Sequence, residues 1–295
     1  MDEFYRQLLL NVERKPKDIM KQIQIPKEVF KYRRFVEQDN NETFWKESLN
    51  GEMYFSLPIY FNSNDNNDCM LDFDEKMCKK RLSELTNVPL NKLFEKTEIT
   101  NIWNKIMEQI KVQIREKIKI GCFTTVAPND AYMWNCKEFG DKNKGYCIEY
   151  AIDERDYPDA TVFLPVSYST NNIDMTEVIL DLMTLAYKND NIIQHRTLLS
   201  NGYNFALSKL EQYKEEKEWR IIITENNWKS YFDLDNESKR DFSSKMKAIY
   251  LGADYNQLEN CDSYKKYALK ICEKRKIPLY EMHIIGGKLE KTKIN

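Results

Sequence analysis

Glu215-Glu216-Lys217-Glu218-Trp219-Arg220-Ile221-Ile222-Ile223 is the stretch that decides the fold. The isoleucines are β-branched and apolar, and together they read as a buried strand. The acids before them therefore stand at the mouth of that strand. On an extended backbone Glu216, Glu218 and Arg220 share one face, while Lys217 and Trp219 share the other. Glu216 and Arg220 also have the i,i+4 spacing of a helical ion pair. The isoleucine run favours strand from about residue 217.

Outward from this strand, punctuation by Gly and Pro gives a coarse element order. Helices are expected over 2–12 and 16–31, with Pro16 and Pro26 as breaks, then a short extended piece over 32–35. A helix over 43–50 stops at Gly51, and a strand over 52–57 stops at Pro58. Helices over 74–86 and 97–118 precede a strand over 119–125. A turn or short helix over 129–139 carries Met133 and Trp134. Strands are expected over 145–151 and 162–168, and helices over 174–187 and 203–215. Strands 219–224 and 248–252, a helix over 255–274 and a last strand over 279–285 complete the order. No regular βαβ alternation appears, which argues against a doubly wound parallel sheet. The expected fold class is α+β, a single domain over 1–295 with a helical N-terminal part packed on a mixed or antiparallel sheet. No Gly/Ser-rich or Pro-rich linker divides the chain, and no internal repeat is present.

Composition narrows the function classes. Hydrophobic residues make up 42% and charged residues 31% of the 295 residues, a globular rather than a disordered balance. The formal net charge of −2 lacks the basic excess of a nucleic-acid binder. Seven cysteines form no CxxC pair and read as reduced thiols, and two distant histidines cannot build a zinc site of the usual kind. No metal is expected. The N-terminus lacks an apolar signal core, and no apolar run approaches the ~20 residues of a membrane span. The expected location is the cytoplasm, without membrane association. Phosphate-loop, dinucleotide, serine-hydrolase and zinc-protease motifs are all absent.

Four constellations carry chemistry, each with a plainer alternative. Asn62 to Asp68 is rich in oxygen ligands but lacks the glycine and terminal glutamate of a calcium loop, so turn chemistry explains it better. Arg33 or Arg34 could hold a phosphate through a guanidinium fork, or pair with a surface acid. Met133-Trp134 with Gly145-Tyr146 could wall a flat ring, or belong to the core. Glu216 and Glu218 suit acid–base or cation-stabilising work, or else one of them balances Arg220 while the other is solvated.

Taken in order, several segments resemble a bacterial family known only as domain of unknown function 2971. They are Lys31-Tyr32-Arg33, Met53 to Pro58 with Phe61-Asn62, Cys122-Phe123-Thr124, Trp134, Lys144 to Tyr150 and Val166-Ser167-Tyr168. Lys209, Tyr213, Glu216, Glu218-Trp219-Arg220 and Ile249 to Gly252 follow. The resemblance spans about 30–255, leaving a helical extension over 1–30 and a helix and strand over 255–295. The chain departs from the family pattern at Ser63-Asn64, where Asp-Pro is usual, at Lys137 in place of tyrosine, and at Asn143 in place of histidine.

A second layout is similar to that of ADP-ribosyltransferases: an arginine on a first strand, a serine on a second, and Glu-x-Glu at the start of a later one. Arg33 or Arg34, Ser56 and Glu216-Lys217-Glu218 would fill it. This resemblance implies that NAD is the substrate. Glu218 would stabilise the oxocarbenium-like ribose and bind its 2′-hydroxyl, and Glu216 would orient or deprotonate the acceptor. Arg33 or Arg34 would hold the pyrophosphate, Ser56 would position strand and ribose, and Tyr54 or Trp134 would flank a ring. The family analogy implies a toxin or antiphage effector. The rival expectation is a non-catalytic binding or sensor module that uses the carboxylate face for protein contacts.

Overall fold

The computed structural model describes residues 23–35, 42–61, 69, 71–95, 97, 100–101, 103–104, 116, 118–153, 161–170, 173–174, 176–187, 206–224 and 238–295. The molecule is a mixed α+β structure with five α-helices among the described residues. Its centre is an eight-stranded sheet, ordered β14-β13-β12-β5-β1-β4-β10-β6. These strands are β1 (Glu28–Arg33), β4 (Ile118–Thr124), β5 (Tyr146–Ala151), β6 (Thr161–Pro165), β10 (Glu218–Thr224), β12 (Met246–Leu251), β13 (Leu279–Ile285) and β14 (Lys288–Lys293). Every neighbouring pair is antiparallel except β12 and β13. Short two-stranded ladders flank the sheet. They pair β2 (Glu52–Tyr54) with β11 (Lys239–Asp241), β3 (Leu71–Asp72) with β8 (Ile173–Asp174), and β7 (Ser167–Ser169) with β9 (Ser208–Leu210).

β10 explains why the sheet is covered on both faces. Ile221 and Ile223 point into one hydrophobic cluster and Ile222 into another, and all three are fully buried. An apolar run with period two can do this only where each face has a lid. Helices α1 (Glu42–Leu49) and α5 (Cys261–Arg275) cover the first face, where Tyr264 stacks on Phe35 at 4.2 Å and meets Trp45 edge-on at 4.9 Å. Tyr264, Ala268, Ile271 and Cys272 form the buried stripe of α5 at helical spacing. On the other face, α2 (Glu75–Thr86) and α4 (Thr176–Tyr187) contribute Cys78, Leu82, Ile179 and Met183. The short helix α3 (Ala131–Asn135) adds Met133 and Trp134 beside Tyr32 and Tyr250.

Several expectations are corrected. Residues 28–31, read as the end of a helix, belong to β1, because Val29 and Phe30 are buried between β5 and β4 and pairing overrides helical spacing. Residues 23–27 of that expected helix are bend and coil, while 16–22, most of 97–118 and all of 2–12 lie outside the described residues. Within 203–215, residues 208–210 form β9 on β7 and Glu211–Glu216 is a 3-10 turn, not an α-helix. The strand expected over 162–168 is two strands, with β6 on β10 and β7 on β9. The chain does not end on β13. Gly286 and Gly287, at φ +57° and +79°, turn it into β14, as a primed hairpin turn requires. Gly51, at φ +97°, ends α1 as expected.

Candidate functional site

β1 and β4 are neighbours in the sheet, yet among the described residues they meet in register only at Phe30–Thr124. β1 is otherwise bonded along its length to β5, from Glu28–Ala151 to Arg33–Tyr146. Beyond Thr124, other groups take the exposed edge of β4. Lys31 Nζ donates to the Cys122 carbonyl at 2.5 Å. Ser56 exchanges backbone hydrogen bonds of 3.0 and 2.8 Å with Ile120. A lysine amine and a loop residue thus satisfy carbonyls that a paired strand would otherwise occupy.

The sheet is therefore split, and a cavity of about 360 Å³ occupies the opening. Lys31, Tyr32 and Arg33 line it from β1, Cys122, Phe123 and Thr124 from β4, and Glu218 from β10. Lys209, Glu216 and Glu138 add charge, while Tyr60, Phe61, Met133 and Phe139 supply apolar walls. Convergent polar groups in a mainly apolar hollow of this size are the usual make-up of a small-molecule site, for which volumes run from about 300 to 1,000 Å³.

The floor of the cavity is a buried ion network. Arg220, fully buried, forks onto Glu218, with Nε to Oε1 at 2.8 Å and Nη2 to Oε2 at 3.2 Å. Its Nη1 donates to the Ala206 carbonyl at 2.7 Å and lies 3.3 Å from Cys69 Sγ. Lys209 Nζ bridges the carboxylates, 2.6 Å from Glu216 and 3.1 Å from Glu218. The Glu218 amide donates to the Tyr168 hydroxyl at 2.8 Å, and Thr124 donates to the Glu216 carbonyl at 2.5 Å. Local backbone makes this possible: Lys217 adopts φ +44°, which ends the 3-10 turn and folds Glu216 back toward Lys209 before β10 begins. Burial pushes the Glu218 carboxyl up, but Arg220 and then Lys209 outweigh it and hold the group well below the usual carboxylate range. Burial, then Glu218, pushes the Cys122 thiol up to about 12, so it is a thiol and not a thiolate. Burial, then the Arg33 guanidinium, lowers Lys31 to about 7.

The residues expected from sequence divide. Arg33, Glu216 and Glu218 line the cavity together. Arg34 is exposed and takes no part in the lining. Ser56 does not line it either; its backbone bonds hold the β4 edge at Ile120. Tyr54 pairs with Lys239 on β11, lies tilted against Phe44 at 4.7 Å and donates to Glu47, while Phe44 in turn lies 5.1 Å under the Arg33 guanidinium. Trp134 is fully buried behind the wall, edge-on to Tyr32 at 5.0 Å, with Nε1 donating to the Pro128 carbonyl at 2.8 Å. The plain alternative for the acids holds in part: Arg220 does balance Glu218, but Glu216 is 5% exposed and paired with Lys209, not solvated. Sequence reasoning assigned no role to Lys31 or Lys209. Lys209 sits seven residues before Glu216, which a helical reading places on one face but two turns, about 10 Å, apart.

A second hollow of about 340 Å³ lies between α2 and α4, lined by Met77, Lys80, Arg81, Glu84, Glu177, Leu180 and Thr184. Arg81 and Glu84 pair with each other there across the helix surface, and the hollow has no buried charge. Among the described residues no cluster of His, Cys, Asp and Glu could hold a metal ion. No helix among them is long and apolar enough to cross a membrane. Comparison with protein-family models, with curated proteins and with solved structures gave no match.

Proposed function

We propose that the split between β1 and β4 is the active site of an ADP-ribosyltransferase-like enzyme that consumes NAD, in a single α+β domain. The observation that carries this reading is the convergence of Arg33, Glu216 and Glu218, from distant parts of the chain, on one aromatic-walled cavity. The ionisation of Glu218 supports it further. Breaking the nicotinamide–ribose bond builds positive charge on the ribose, and a carboxylate fixed in its anionic form stabilises that charge without reorganising. Glu218 is unsuited to proton transfer near neutral pH, because its affinity for a proton is too low. Glu216 is then the group that orients or activates the acceptor. Arg33 lines the cavity, and its guanidinium is a donor suited to a pyrophosphate oxygen. Ser56 acts on the strand rather than on the ribose, and Tyr54 acts through Phe44 on Arg33. A role as toxin or antiphage effector follows from the family resemblance alone.

The test is nicotinamide release from NAD, measured with candidate protein and nucleic-acid acceptors present and absent. Glu218→Gln should lower release by about 10²–10³-fold, the usual cost of losing one preorganised electrostatic group. Absence of release under all conditions, or release unaffected by both Glu218→Gln and Glu216→Gln, overturns the enzymatic reading.

One observation favours the rival, a binding module without turnover: both carboxylates already have cation partners inside the protein. That network is complete without a substrate. Nicotinamide release separates the two, since a module that uses this face for protein contacts releases none.

A further inference from the structure

We propose that Lys31 is a nucleophilic lysine that captures an anionic aldehyde or ketone in the cavity as an imine. The proposal goes beyond the NAD reading, in which Lys31 has no part. Lys31 lies on β1 two residues from Arg33, and both side chains line the same cavity. Among the described residues its side chain hydrogen-bonds to the Cys122 carbonyl, and its Nζ lies 5.9 Å from the centre of the Phe123 ring. A neutral amine that donates one N–H to a carbonyl keeps its lone pair for a ligand. The Arg33 side chain, which lines the same cavity, provides a seat for a phosphate or carboxylate on that ligand.

The surroundings favour the neutral amine. Arg33 on the same strand and Arg220 on β10 repel a proton from Lys31, while Cys122 on β4 and Glu218 on β10 attract it. Lys209, Glu216 and Glu138 line the same cavity. Burial is the largest influence, and the net result, a value of about 7, leaves a large neutral fraction at physiological pH. In the reaction Nζ attacks the carbonyl carbon, and the carbonyl π electrons move to oxygen. The nitrogen loses two protons in all, both of which leave with that oxygen as water, and a C=N bond replaces C=O. No oxidant or reductant is consumed. The open-chain aldose of an ADP-ribose product belongs to this ligand class, but the proposal does not depend on it.

Pyridoxal phosphate, an aromatic aldehyde bearing a phosphate, is a suitable probe. The full chain is incubated with it at limiting concentration, reduced with borohydride and mapped by peptide mass spectrometry. Lys31 should carry the label at least tenfold above any surface lysine, with a labelling rate half-maximal near pH 7. Inorganic phosphate should protect it by competing for Arg33. Lys31→Arg, which keeps a donor for the Cys122 carbonyl, should remove that label and leave background labelling in place. Label spread over surface lysines with Lys31 unmodified, or a Lys31 rate still rising steeply above pH 9, overturns the proposal. Nicotinamide release without Lys31 labelling removes this proposal and keeps the NAD reading. Labelling without release does the opposite.

Discussion

Replacing Arg220 with Met tests the ion network most directly. Methionine has similar length and suits the apolar surroundings of Leu164 and Phe61, so little volume is lost. What disappears is the fork onto Glu218 and the donor to the Ala206 carbonyl. Removing one partner of a buried ion pair costs about 3–5 kcal/mol, because the remaining charge stays buried. Lys209 still lies 3.1 Å from Glu218 and limits that penalty, whereas the stranded Ala206 carbonyl adds about 1–3 kcal/mol. A net loss of about 4 kcal/mol is expected. At about 2–4 °C per kcal/mol, Tm should fall by roughly 8–16 °C. Urea and thermal unfolding followed by circular dichroism measure it, with Glu218→Gln and the double variant alongside. The double variant should be less destabilised than the sum of the single variants by at least 1 kcal/mol, since it removes both charges of the pair. An Arg220→Met loss below 1 kcal/mol, or strict additivity, would refute the account of Arg220 as the counter-ion that keeps Glu218 charged.

Two further outcomes are expected. Glu218 titrates below its ordinary value of 4.5 in the folded state, so its contribution is fully present above that pH and is lost as pH falls toward the folded value. Glu218→Gln should therefore flatten the acid limb of the stability profile by up to about 1.4 kcal/mol per pH unit below about pH 4, and unchanged acid limbs in urea titrations would contradict this. Gly145→Ala should cost about 1–3 kcal/mol and weaken ligand binding at Arg33, because the added Cβ would lie 2.3 Å from the Arg33 carbonyl oxygen. Unfolding curves and calorimetric titration of the same variant check both effects, and wild-type values in either would count against it.

The strand at 219–224 was legible because three β-branched residues in a row have few other homes, and Glu218 and Arg220 fell on one face by strand periodicity alone. The partner that makes them a network was not legible. Lys209 reaches Glu216 through the β7–β9 ladder and the left-handed Lys217, and neither leaves a hydrophobic pattern. Lys31 was hidden for a different reason. Val29 and Phe30 are compatible with a helix over 16–31, and only pairing with β5 makes that segment a strand. Trp134 was legible only as an alternative, ring wall or core, and it serves as the packing behind the wall. The turn at Gly286-Gly287 was available from sequence, but β14 after it is mostly polar and exposed and gave no apolar alternation to extend.

The single register pair of β1 and β4 among the described residues, Phe30–Thr124, also has a mechanical meaning. Five strands lie on one side of it and three on the other, so the sheet consists of two plates fastened at one end of a seam. Resistance to twisting between the plates is least along that seam, where fewest backbone hydrogen bonds cross. Lys31 and Ser56 are the lesser fasteners, and any molecule bound in the opening touches both plates at once. Occupancy would then stiffen the sheet across its width, coupling the ligand to helices α1 and α5 on one face and to α2 and α4 on the other.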